Sequence, residues 1–361
     1  MVDPDARFEA GGEGETTLEY RDLPPHGGDI AAAAARYGIA PADWLDLSTG
    51  INPQAYPVPP LGPASWRNLP DAGATGALIA AARVCYGISG AAGVTAAPGT
   101  QALIQWLPRV LGTGTVAVLS PTYGEHETAW RAAGAAVSCV ADLEGGDAAD
   151  VFVVVNPNNP DGRCFEPLDL LRRAEDCARR GAWLVVDEAF CDVLPEMSLA
   201  RHAGAPGLVI LRSFGKFFGL AGARLGFALA PVSLTVELDR ALGPWAVSGP
   251  AAAVGAAALR DLAWIAETRG RLAADARRLD ALLTRAGLEV AGGTDLFRLT
   301  HFEEAWAVYH ALAGRGILCR AFPAHPEWLR FGLPGSDAEF DRLERALHPA
   351  VAEAREASLT L

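Results

Sequence analysis

The 361-residue chain has no Cys-x-x-Cys pair among its six cysteines, at positions 85, 139, 164, 177, 191 and 319. Most of them fall in apolar helix or strand contexts, so they read as reduced core residues of a cytoplasmic protein rather than as a disulfide framework or a zinc site. Basic charge is also scarce, with 30 Lys and Arg against 43 Asp and Glu for a net charge of -13. No basic stripe is present to neutralise a phosphate backbone, so no nucleic-acid partner is expected. Seven scattered histidines pair with no cysteine, and His126-Glu-Thr-Ala-Trp130 lacks the second histidine of a helical zinc motif. No metal is expected. A run of about eighteen apolar residues is missing too, as is a basic start followed by an apolar core, so no membrane span or signal peptide is expected.

What the chain does have is 50% hydrophobic residues, enough to bury a large core. Apolar runs at 116–119, 151–155, 183–186, 208–211 and 225–229, with helical stretches between several of them, predict an α/β fold: a mostly parallel sheet covered by helices. After Pro250 an alanine- and arginine-rich helical stretch leads to a smaller α+β unit. The expected division is a large domain over 46–249, a small one from 21–45 and 250–361, and a loosely held, glycine- and acid-rich arm over 1–20.

Three runs carry chemistry. In Ser213-Phe-Gly-Lys-Phe-Phe-Gly-Leu-Ala-Gly-Ala-Arg-Leu-Gly226, Lys216 lies among glycines, three residues after a hydroxyl and eight before Arg224. A lysine that condenses with an aldehyde cofactor needs partial desolvation to be neutral, and the hydroxyl and guanidinium suit a phosphate dianion. Leu184-Val-Val-Asp-Glu188 reads as a buried strand presenting Asp187 at its carboxyl end, where open α/β sheets bind ligands. A carboxylate there can keep the pyridine nitrogen of pyridoxal 5'-phosphate (PLP) protonated. Val151-Phe-Val-Val-Val-Asn-Pro-Asn-Asn-Pro-Asp-Gly162 is a strand entering a stiff turn, from which Asn159 can donate to the phenolic oxygen of the ring. Each run alone has a plainer reading, as a glycine-rich loop, a helix cap and an ordinary turn.

Together the runs resemble the class I/II aminotransferase group of fold-type I PLP enzymes over roughly residues 45–345. Pro98-Gly-Thr-Gln101, Ser120-Pro-Thr-Tyr123, Asn156–Gly162, Asp187-Glu-Ala189 and Ser213–Arg224 stand in that family's order. The resemblance implies a large PLP-binding domain plus a smaller one. It makes Lys216 the cofactor lysine, Asp187 the partner of the pyridine nitrogen, Asn159 the donor to the ring oxygen and Tyr123 the stacking residue. Gly99, Thr100, Ser213 and Arg224 would hold the cofactor phosphate. For Thr100 the residues agree, since the apolar run 102–111 predicts a helix whose N-terminus favours an anion. Two positions depart from the family. Phe190 stands where a tyrosine usually donates to the ring oxygen, and Leu69 where a tyrosine often crosses to the neighbouring subunit.

His26-Gly-Gly-Asp-Ile30 followed by Asp46-Leu-Ser-Thr-Gly-Ile-Asn-Pro53 is similar to the opening of the threonine-phosphate decarboxylase branch. That resemblance implies decarboxylation of a phosphorylated amino acid in cobalamin biosynthesis, by a homodimer with its active site near the subunit interface. His26, Gly27, Asn52, Asn159, Arg320 and Arg330 would bind the substrate, with Arg330 gripping its carboxylate. The other reading is an aminotransferase of the histidinol-phosphate type on a phosphorylated or aromatic amino substrate.

Overall fold

A computed structural model describes residues 26–112 and 114–359. The arm expected over 1–20 lies outside the described residues. The strands, in chain order, are β1 Leu45–Asp46, β2 Ala92–Ala97, β3 Thr115–Leu119, β4 Ala136–Val140, β5 Val151–Val155, β6 Trp183–Asp187 and β7 Leu208–Ser213. They continue with β8 Gly226–Pro231, β9 Glu289–Thr294, β10 Phe297–His301, β11 Ile317–Leu318, β12 Arg320–Phe322 and β13 His325–Gly332.

Seven strands form one sheet in the order β2-β8-β7-β6-β5-β3-β4, in which β8 alone runs against its neighbours. All five residues of β5 are buried, because both faces of the sheet are covered. Phe152 and Val154 enter one apolar core, whereas Val151 and Val153 enter another. The period of two therefore splits one unbroken hydrophobic run between two cores.

Strand register explains why distant motifs meet. Gly226, the first residue of β8, sits opposite Ala97 at the end of β2 and opposite Ser213 at the end of β7. Asp187 lies beside Val155 and Leu211 on the two strands flanking it. The chain segments leaving β2, β5, β6 and β7 thus gather along one edge of the sheet, and Arg224 enters β8 at the same edge.

The helix Gly249–Arg260, capped by Ser248 with Pro250 in its first turn, and the 24-residue helix Leu262–Arg285, capped by Asp261, lead to a second sheet. This one is antiparallel, in the order β12-β13-β10-β9. Beside it β1 pairs in parallel with β11, and the Leu47 carbonyl accepts from Gly332 N at 2.7 Å. Those bonds lay residues 47–50 across β13. Gly332 permits the crossing, since a Cβ there would stand 2.3 Å from the Thr49 carbonyl oxygen.

Candidate active site

The smaller of two adjoining cavities is walled by Gly99, Thr100, Gln101, Tyr123, Asn159, Asp187, Ser213, Lys216 and Arg224. At one end the helix Thr100–Leu111 begins with no side chain capping it, so its first amides are free for an anion. Gly99, at φ 82°, lets the Arg224 guanidinium lie against this helix start: a Cβ would come within 2.7 Å of Nη2. A Cβ on Gly226 would press to 2.6 Å from the Thr100 nitrogen. Arg224 itself holds the left-handed φ of 48°. Unfavourable for a residue with a Cβ, that geometry points to a positional constraint on its side chain. Free amides, two hydroxyls and a guanidinium around glycines that leave room make a receptor fitted to a phosphate dianion.

Asp187 forms the floor. It is almost wholly buried; Oδ2 lies 2.9 Å from His126 Nε2, and Oδ1 accepts from Ala189 N at 3.0 Å. His126, on the helix Glu125–Ala132, is buried as well. It is a site residue that the sequence reading missed, noted there only as half of a failed zinc motif. Tyr123 borders both cavities and donates to Gln101 Oε1 at 3.3 Å. Burial, with Glu125 and Asp187 nearby, pushes its phenol up to about 12, so the ring stays neutral.

Lys216 projects from the short helix Phe214–Phe217 with Nζ 5.7 Å from the centre of the Phe190 ring. Its amine is lowered to about 8, first by burial and then by Arg330, with Asp187 pulling the other way. At neutral to mildly alkaline pH a usable fraction is therefore unprotonated. Lys216 is also the only lysine in the sequence.

The larger cavity, about 590 Å³, shares Tyr123, Asn159 and Lys216 with the first and adds His26, Gly27, Ser48, Glu125, Arg320 and Arg330. Arg320 and Arg330 are direct partners across the antiparallel pair β12–β13, so their side chains leave the same face of the sheet. Arg330 is buried and donates to the Asn159 side-chain oxygen and, at 2.9 Å, to the Ser48 carbonyl. With the Asn159 oxygen engaged there, its NH2 group is left to donate into the pocket. Burial and the neighbouring Arg320 drop Arg330 to about 9, and burial lowers Arg320 too. Two mutually repelling, partly desolvated guanidinium groups at one cavity constitute a site for anions.

Asn52 is where the sequence expectation and the structure part. It is buried behind the Lys216 loop and borders neither cavity. Its backbone N–H donates to the Lys216 carbonyl at 2.9 Å and Nδ2 donates to the Phe217 carbonyl at 2.9 Å. Oδ1 accepts from Arg271 at 3.0 Å. The amide is used up in fixing the lysine loop, and the cavity wall in this segment is made by Ser48, Thr49 and Gly50 instead.

Residues 80–347 match the family model described as aminotransferase class I and II. The chain is 49% identical over 325 residues to the threonine-phosphate decarboxylase of Pseudomonas aeruginosa, covering 89% of this chain and 96% of that protein. It is 44% identical to the threonine-phosphate decarboxylase of Sinorhizobium sp. over 328 residues, with 89% and 97% covered. Among solved structures, histidinol-phosphate aminotransferase from Sinorhizobium meliloti in complex with pyridoxal-5'-phosphate superposes with a TM-score of 0.76 at 21% identity, covering 94% of this chain and 100% of that one. By family model, by close relatives and by fold, the chain belongs to the class I and II aminotransferase family of fold-type I PLP enzymes.

Proposed function

We propose that the protein is a PLP-dependent carboxy-lyase that converts L-threonine O-3-phosphate to (R)-1-aminopropan-2-yl phosphate and carbon dioxide, a step of cobalamin biosynthesis. One observation carries the choice of substrate: Arg320 and Arg330 stand side by side at a cavity that also holds His26 and reaches Lys216. A substrate with a carboxylate near its amine and a phosphate farther along supplies one anion to each cation. The 49% and 44% identity to two threonine-phosphate decarboxylases supports the same reading.

Gly99, Thr100, Ser213 and Arg224 are the residues to hold the cofactor phosphate, with Asn159 at the ring oxygen, Tyr123 at the ring face and Asp187 at the pyridine nitrogen. Bound PLP supplies an electron sink for the pair left behind when a bond to the substrate α-carbon breaks. Asp187 keeps a proton on the ring nitrogen, and His126 and Ala189 N hold its carboxylate in place. The α-carbon that loses carbon dioxide must gain a proton, and Lys216 is the titratable group placed to deliver it. Phe190 brings no hydroxyl to the ring oxygen, so that duty falls to Asn159.

Asp187→Asn keeps the shape and removes the charge. Turnover should fall about 10²-fold, equivalent to about 2.7 kcal/mol of barrier. Steady-state kinetics of the purified variant measures this, and near-normal turnover would remove Asp187 from the role of proton holder.

A homodimer fits the exposed apolar side chains Trp66, Leu69 and Trp245, at 70%, 65% and 59% exposure. The helix that carries Trp66 meets the one that follows Trp245, through Ser65 and Gly249. The six cysteines are free, which suits the cytoplasm, and no helix among the described residues is long and apolar enough to cross a membrane.

The deciding experiment is product analysis. The purified protein with PLP should release carbon dioxide from L-threonine O-3-phosphate with no keto acid present. Amino transfer that depends on a keto acid, without carbon dioxide, would assign it instead to the histidinol-phosphate aminotransferase type of reaction.

A further inference from the structure

The family motifs leave Glu125 without a task, yet it bridges the two cavities. One carboxylate oxygen lies 3.3 Å from His26 Nε2, and the other accepts from Gln101 Nε2 at 2.6 Å. Gln101 belongs to the first turn of the helix whose start forms the phosphate cradle, and it takes the hydroxyl of Tyr123. From the other side residues 26–28 are fastened to the second sheet's side of the cavity. Gly28 N donates to Ser48 Oγ at 2.7 Å, and Gly27 lies so close that a Cβ would be 2.3 Å from the Ser48 carbonyl oxygen. Asp29 then caps the helix Ile30–Tyr37 through Ala32 N.

We propose that Glu125 is a positioning residue, a clasp that holds the His26–Gly28 segment over the mouth of the substrate cavity and fixes where His26 meets the substrate phosphate. The proposal rests on the substrate reading above for what His26 binds. Without the carboxylate, the His26 imidazole, with 55% of its side chain exposed, has no other anion to hold it across the mouth among its described contacts. A contact between partly exposed side chains contributes modestly, so the expected change is a few-fold and falls on binding rather than on the chemical step.

Glu125→Gln keeps an oxygen for Gln101 but loses the charge facing His26. In the PLP-loaded enzyme it should raise KM for L-threonine O-3-phosphate about fivefold, leave kcat within about twofold, and speed amide exchange in residues 27–32. In a His26→Ala background the same substitution should leave KM unchanged, because the partner is gone. Unaltered exchange in Glu125→Gln, or a further fivefold rise in KM on top of His26→Ala, would overturn the clasp. If exchange rises but His26→Ala leaves KM where it was, the clasp stands and the placement of His26 at the phosphate fails.

Discussion

Lys216→Ala should lower carbon dioxide release from L-threonine O-3-phosphate by about 10⁴-fold or more, the upper end of what a proton-transferring group supplies, while far-UV circular dichroism stays that of the parent. Two properties of the site make the effect large. The amine is lowered to about 8 by burial and by Arg330, so it can exchange a proton near neutral pH where an ordinary lysine cannot. No second lysine exists anywhere in the chain to substitute for it. Borohydride reduction of the PLP-loaded protein, followed by peptide mass mapping, should therefore place one pyridoxyl group on the peptide containing Lys216 and none in the variant. A label on another peptide, or multiple turnover retained in Lys216→Ala, would remove the assignment.

The cofactor end of the site was legible because its parts are local. Asp187 and Asn159 each follow an unbroken apolar strand, and Lys216 sits with its hydroxyl and guanidinium in one fourteen-residue run. Buried strands and glycine-rich turns leave marks that survive in a single sequence. What was not legible depends on tertiary register. His126 meets Asp187 from 61 positions away, and nothing in His126-Glu-Thr-Ala-Trp130 announces a carboxylate partner. Glu125 and Gln101 come together only because two helices pack side by side in front of the sheet. Asn52 was misplaced for a related reason. The motif Asp46–Pro53 points to a segment at the site, but which of its residues faces the cavity follows from long-range bonds, with Leu47 tied to Leu318 and Gly332 ahead of the cavity-lining Ser48–Gly50 and Asn52 tied to Lys216 and Phe217. The two arginines were each visible, ten residues apart. Their meeting is a hairpin register, and a one-residue slip would have sent them to opposite faces.

That register also decides how sharply the protein should select its substrate. With Arg320 and Arg330 opposed on one face, the cavity carries two cations that burial pulls below the ordinary guanidinium range, Arg330 being lowered further by its neighbour Arg320. A substrate carboxylate would satisfy Arg330, whose Nη atoms hold Asn159 and Ser48 while its buried Nε has no partner among the described residues. The substrate phosphate would complete the set around Arg320 and His26. Free L-threonine brings only the carboxylate and forgoes every contact a phosphate would make to Arg320 and His26, a loss far larger than that of a missing methyl group. Its kcat/KM should accordingly lie about 10⁴-fold below that of the phosphorylated substrate. Arg320→Ala should narrow this ratio at least tenfold by weakening the phosphorylated substrate alone, with free threonine almost unaffected. Steady-state kinetics on both substrates reads the ratio directly. Equal losses on the two would place Arg320 at a group they share, and comparable kcat/KM values in the parent protein would show that no phosphate is recognised in this cavity.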